Sequence, residues 1–323
     1  MESFIKKVKP NFSAIYKFLS QSLTLKIYLL AVLLYFVSCI IQPNYLSGSY
    51  FMSTLVLASF LGVLSIGQTL VILLGGIDLS IIITFNLAAV MITANVDNPN
   101  QFLVVVMVLL VCAFIGLING LGITLLKVTP IVMTLAMQSI LTTVLYLYTD
   151  GMARGKSPEW LRFISTESIG GVRVMFIVWI LIAIVIWLLL NRTTFGRRLY
   201  GIGNNPNVTF YSGINNNAIT VMVYVISSVC AGLAGMLYAG YLGHSYLGMG
   251  TSFLLPSIAA VVIGGTSILG GKGSYSGTIP GAIILYILIG LLTNLNVEEA
   301  GRKIINGLII LVVVLLYRRF EEK

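Results

Sequence analysis

Across its 323 residues the chain is 58% hydrophobic and only 9% charged, with a mean hydropathy of +1.01. A soluble domain carries about 25% charged and 45–50% apolar residues, so this composition excludes a soluble enzyme or scaffold and indicates a polytopic, all-α membrane protein. The net charge of +9 raises nucleic acid as a partner, but the distribution of the charges, given below, argues against it.

Residues 1–26 form a basic lead holding Lys6, Lys7, Lys9, Lys17 and Lys26. Phe12, Ile15, Tyr16 and Leu19 recur in it at helical spacing, as in a helix lying on an anionic lipid surface. The lead and the apolar run behind it resemble the start of a signal peptide, but the basic stretch is longer than usual, which favours an uncleaved first span. Apolar runs then follow at Ile27–Ile41, Phe51–Leu74, from after Ser80 to Ala94, Phe102–Leu126, Pro130–Tyr148, Val174–Leu190, Ala218–Leu242, Phe253–Ile263, Ser276–Leu295 and Ile304–Tyr317. They predict about ten transmembrane helices. Val174–Leu190 is 17 consecutive apolar residues, about 26 Å of helix and near the minimum for crossing hydrocarbon. The expected organisation is a lead at 1–26, a membrane domain at 27–317 and a tail at 318–323.

With the N-terminus inside, ten alternating spans place 13 of the 19 Lys and Arg residues on the cytoplasmic side, together with the C-terminus. That bias is the positive-inside pattern. It assigns the surplus charge to one membrane face. Between the sixth and seventh runs lies a polar, basic, Gly- and Asn-rich stretch, residues 191–217. A membrane chain has little reason to keep such a segment unless something in water touches it.

Catalytic chemistry finds no support. His244 is the only histidine and reads as a loop residue, with no nucleophile to form a triad and too few ligands for zinc. Cys39, Cys112 and Cys230 all lie in apolar runs and read as buried small side chains. In the stretch 264–274 a phosphate-binding loop fails twice, because Thr266 stands where the first glycine belongs and Gly273 follows Lys272 where Ser or Thr is needed. The chain is not expected to hydrolyse ATP, and no catalytic or metal-binding residue is assigned. Asp78, beside the Gly75-Gly76 break, is the one acid close to a span. It is read either as a cap on the third helix or as a residue kept for transport. Gln68, Asn86, Asn119 and Gln138 are uncharged polar residues within spans, suited to hydrogen-bonding a polyhydroxylated solute along a translocation pathway or to joining helices. Ala231, Gly232, Ala234 and Gly235 are small residues at helical spacing, as close helix packing requires.

Three stretches carry a resemblance that covers nearly the whole chain: GQTLVILLGGIDLS (67–80), FGRRLYGIGNNPNVTFYSGIN (195–215) and IAAVVIGGTSILGGKGSYSGTIPGA (258–282). In this order and spacing they resemble the permease subunits of ribose-type ABC importers. The resemblance implies a permease for a monosaccharide-like solute in the bacterial cytoplasmic membrane, paired with a second copy or a paralogue. It further implies separate ATP-binding subunits that hold ATP and Mg, and an extracytoplasmic solute-binding protein. This chain would itself bind no cofactor. The family's coupling helix would fall around Val208 to Ser212, after a turn shaped by Gly201, Gly203, Asn204 and Pro206. Contacts to the ATP-binding subunit are expected from Arg197, Arg198, Gly201, Gly203, Asn204, Asn205, Val208, Tyr211, Ser212 and Gly213, with lipid phosphates an equal alternative for the two arginines. Departures include Ile81-Ile82-Ile83, where relatives commonly carry Val-Gly-Ser, and Phe253–Ser257, where many carry an acid. They leave pentoses, hexoses, nucleosides and furanosyl signalling molecules open. The competing reading is a stand-alone secondary transporter or channel using Asp78.

Overall fold

The computed structural model describes residues 23–298 apart from Arg154, and scattered positions from 300 to 311. Residues 1–22 of the expected lead, most of the expected tenth span and the tail 318–323 lie outside the described residues. In chain order the helices are α1 (Leu23–Ile41), α2 (Gly48–Leu73), α3 (Ile81–Ala94), α4 (Gln101–Thr124), α5 (Pro130–Thr149), α6 (Glu159–Thr166), α7 (Val174–Arg192), α8 (Thr194–Asn204), α9 (Pro206–Tyr211), α10 (Asn216–Leu242), α11 (Leu254–Ile263) and α12 (Tyr275–Asn294). A two-residue hairpin, β1 (Ser168–Ile169) and β2 (Val172–Arg173), turns through Gly170 and Gly171. Both glycines have positive φ, as the tight turn joining twisted strands demands. Among the described residues, seven helices are long and apolar enough to cross a membrane, namely α1, α2, α4, α5, α7, α10 and α12. Apolar runs three and eight are shorter, at 14 and 10 residues. The latter rises only about 15 Å.

The core is organised around α10, which packs on α2, α3, α4 and α6. Its small residues make this possible. A Cβ on Gly235 would lie 2.0 Å from the Phe85 carbonyl, and one on Gly232 would lie 2.4 Å from Cys112 Sγ. Lipid tails supply no hydrophobic force between helices, so close approach and polar ties hold such bundles together. One tie runs across three helices. Trp179 Nε1 on α7 donates to Tyr275 Oη on α12 at 2.8 Å, and that hydroxyl donates to the Gly62 carbonyl on α2 at 2.9 Å. α2 is buried along almost its whole length. α1 covers α12, with Ile27 and Ala31 against Ile284.

Among the described residues, two connections leave regular structure inside the bundle. After α2, residues 74–80 turn back so that Asp78 reaches Ser227 on α10. Gly67 packs on the backbone of the same Ser227. Gly67 lies six residues before the end of α2, so Asp78 sits about 9 Å inside that end. After α10, residues 244–253 descend along α3. Ser245 Oγ bonds Thr93 Oγ1 at 2.7 Å. Asn86, with its amide oriented to suit both neighbours, donates to the Tyr246 carbonyl at 3.0 Å and accepts from the Gly248 N–H at 2.6 Å. Gly250 then meets Ile82 and Phe85. This descent spans eight to eleven α3 residues, roughly 12–16 Å, and α11 completes the crossing.

Gly235→Val is expected to abolish folded protein, because its side chain must displace backbone at Phe85. Gly48→Ala, where nothing lies within 4 Å of the added atom, is expected to leave yield unchanged. Size-exclusion profiles in mild detergent check both.

Candidate functional site

The polar stretch 191–217 is two helices rather than a loop. Thr193 ends α7 and caps α8, its hydroxyl accepting from the Gly196 N–H at 3.4 Å. Phe195, Leu199 and Ile202 recur at i, i+4 and i+7 and are buried, so α8 presents one apolar face to the bundle. Gly201, Gly203 and Asn204, expected to shape a turn, are therefore the last turn of a helix. The i, i+4, i+7 pattern was readable, but glycines at 196, 201 and 203 and the polar residues between them masked it. Arg197 and Arg198 are exposed beside this buried face. Asn205 then breaks the helix and caps α9, its Oδ1 accepting from the N–H groups of Asn207 and Val208 at 3.0 and 3.2 Å. Pro206 occupies the first turn, where it lacks no needed donor.

α9 projects apolar surface into the open. Val208 is 58% exposed, Phe210 67% and Tyr211 86%. The Phe210 and Tyr211 rings meet edge to face at 5.8 Å. Ser212 is exposed as well, and Gly213 turns the chain at φ 77° with open space around it. The helix is nonetheless anchored. Thr209 is buried, and Asn216 Nδ2, in the first turn of α10, donates to the Pro206 carbonyl at 2.7 Å.

The end of α8 is clasped to two other parts of the bundle. Tyr200 Oη donates to the Gly273 carbonyl at 2.9 Å, and Asn204 Nδ2 donates to the Gly271 carbonyl at 3.3 Å. The Gly271 N–H donates in turn to the Leu73 carbonyl at the end of α2, at 2.9 Å. Burial pushes the Tyr200 phenol up from its ordinary value, which keeps it a donor. Gly203 completes the clasp, since a Cβ there would lie 1.9 Å from the Leu73 carbonyl. Three segments distant in sequence thus meet: the end of α2, the end of α8 and the glycine-rich loop 264–274 that follows α11. Tyr200 was not singled out in the sequence. Its position one turn before Asn204 was the available signal.

The polar span residues separate into groups. Asp78 is fully buried. It accepts from the Ser80 N–H at 3.0 Å, from Ser80 Oγ at 2.6 Å and from Ser227 Oγ at 2.9 Å. Bonding to Ser80 fits the expected role at the start of α3, but the bond to α10 exceeds a local cap. Asn119 joins this cluster, its Nδ2 donating to Ser80 Oγ at 2.8 Å. Leu79 N–H donates to Thr134 Oγ1 at 3.1 Å and so ties the same turn to α5. Gln68 is fully buried on α2, with neither amide atom hydrogen-bonded among the described residues. Asn86 holds the descending segment 246–248, away from the Asp78 cluster. Gln138 is half-buried on α5, and no hydrogen bond found among the described residues joins its side chain to the other four. Among the described residues, no group of three or more His, Cys, Asp or Glu is placed to hold a metal ion. Tyr200→Phe should loosen the clasp by about 0.5–1.5 kcal/mol. Hydrogen exchange at the amides of 267–273 is expected to speed by about 3–10-fold, with α2 unchanged.

Residues 50–316 match the family described as the permease component of the branched-chain amino acid transport system. The chain is 34% identical over 292 residues to the ribose import permease protein RbsC of Haemophilus influenzae, covering 88% of this chain and 90% of that protein. It is 33% identical to RbsC of Bacillus subtilis, covering 87% and 88%. It is also 33% identical to the galactose/methyl galactoside import permease protein MglC of Escherichia coli, covering 90% and 92%. No solved structure matches. The chain, a multi-pass membrane protein, belongs to the permease-component family of the branched-chain amino acid transport system type, a family of transport subunits rather than enzymes.

Proposed function

We propose that this chain is the membrane-spanning subunit of a bacterial inner-membrane ABC importer for a monosaccharide-like solute. In this reading it works with a second permease, ATP-binding subunits and an extracytoplasmic solute-binding protein. The observation that carries the reading is α9, a six-residue helix that displays Val208, Phe210 and Tyr211 to solvent between two spans of a permease-family chain. Exposed apolar residues on a short, anchored helix suit a protein partner in water better than they suit water itself. Family membership supports reading that partner as the ATP-binding subunit. The sugar class rests on the names of the relatives, ribose and galactose importers, and on Gln68, an uncharged amide buried in α2 with neither atom hydrogen-bonded among the described residues.

The face carrying α8 and α9 is then cytoplasmic, in keeping with the positive-inside count. Motion of the motor would reach the bundle as a rigid-body shift. α9 itself packs on α8 and α10. Through the clasp, α8 also holds the end of α2 and the loop after α11. The end of α2 adjoins the first place where the chain leaves helical structure, and the loop is joined to the second through α11, so a push on α8 and α9 would reach both broken crossings as well as α7 and α10, on which α8 also packs. The stand-alone transporter reading has no comparable support, because it gives the exposed apolar residues of α9 nothing to meet.

Val208→Asp combined with Phe210→Asp should leave the folded protein in the membrane. Co-purification of an ATP-binding subunit and energised uptake of the solute should both fall by at least tenfold. Co-purification and uptake at wild-type levels would refute the docking role of α9.

A further inference from the structure

Asp78 has no use in the transport reading above, yet it is expensive to keep. It is fully buried, about 9 Å inside the end of α2, and among the described residues no Lys or Arg pairs with it. Three donors and the N-terminal end of α3, worth about half a positive charge, offset part of the cost of a buried carboxylate. The remainder calls for either a proton or a cation.

The surroundings distinguish the two. Asn119 is fully buried with its Nδ2 committed to Ser80, which leaves its Oδ1 without a donor. Tyr224 is 1% exposed, one helical turn before Ser227 on α10, and its hydroxyl has no hydrogen-bond partner among the described residues. That hydroxyl lies against the turn itself, 2.8 Å from where a Cβ on Gly76 would stand. A proton on Asp78 would satisfy one oxygen and leave Asn119 Oδ1 an orphan. A cation held beside Asp78 would draw on these oxygens together, the unpartnered ones included. Hard cations take oxygen ligands of this kind. A single carboxylate balances a single positive charge, whereas a divalent ion would leave net charge buried in a low-dielectric interior.

We infer that Asp78, Ser80, Asn119, Tyr224 and Ser227 form a site for a monovalent alkali cation of the sodium class, tying the α2–α3 turn to α4 and α10. The inference is independent of which solute is carried.

The test uses the full chain in mild detergent. Its unfolding temperature is followed against NaCl, with choline chloride holding ionic strength constant. The expected result is a saturable rise of a few degrees in sodium that Asp78→Asn abolishes. If Asp78→Asn yields no folded protein, Tyr224→Phe serves instead, and its half-saturating sodium concentration should rise about tenfold. Equal unfolding temperatures in sodium and choline, an unchanged sodium effect in Asp78→Asn, or unchanged half-saturation in Tyr224→Phe would each overturn the site.

Discussion

Every backbone N–H and C=O held inside a membrane bundle must find its partner within the protein, because hydrocarbon offers none and each orphan costs several kcal/mol. Continuous helices meet this requirement by themselves. Among the described residues the chain leaves continuous helix inside the bundle at 74–80 and at 244–253, and much of the remaining structure is arranged around those breaks. The first is tied by Asp78, Ser80, Asn119, Thr134 and Ser227, which supply side-chain partners from four segments of the chain. The second is held by Asn86 and Thr93 on α3. Both depend on close approach to α10, through Gly67 on α2 and through Gly235 on α10 against α3, which brings the helices near enough for side chains to reach. Irregular backbone at such depth is tolerated where it is enclosed by protein or lines a cavity.

The two breaks share a mechanical connection. Leu73 ends the helix before the first, Gly271 follows the half-helix after the second, and the two residues are hydrogen-bonded to each other and covered by α8. A displacement of α8 therefore bears on the start of the first break directly and on the second through α11. α1, α5 and α7 turn much of their apolar surface outward and form the surround against which this inner set would shift. Such an arrangement suits a bundle with two discrete packings better than a continuously deformable one.

Much of the fold could be read from hydropathy. The apolar runs from 27 to 295 correspond to observed helices with ends shifted by a few residues, since a spanning helix needs length and little else. The stretch 191–217 stood out for its polarity, yet its secondary structure did not. The buried stripe of Phe195, Leu199 and Ile202 lies among three glycines, whose low helix propensity pointed to a turn. Asp78 was visible as an anomaly, but its partner Ser227 lies 149 residues away, and no local pattern announces a pairing of that range. The same holds for Tyr200 with Gly273 and for Asn86 with Tyr246. Of the polar span residues, Asp78 and Asn119 meet through Ser80, while Gln138 on the outer helix α5 looked no different from them in sequence.

The central claim, that α9 is the surface through which a separate motor acts on these broken crossings, is tested most directly by capture. A photo-activatable cross-linking residue placed at Phe210, in the chain expressed in its own host membrane, would label whatever sits against α9. The expected adduct is an ATP-binding protein, formed in good yield and sensitive to nucleotide. Lipid as the only adduct at Phe210, with the chain folded and uptake active, would contradict the claim.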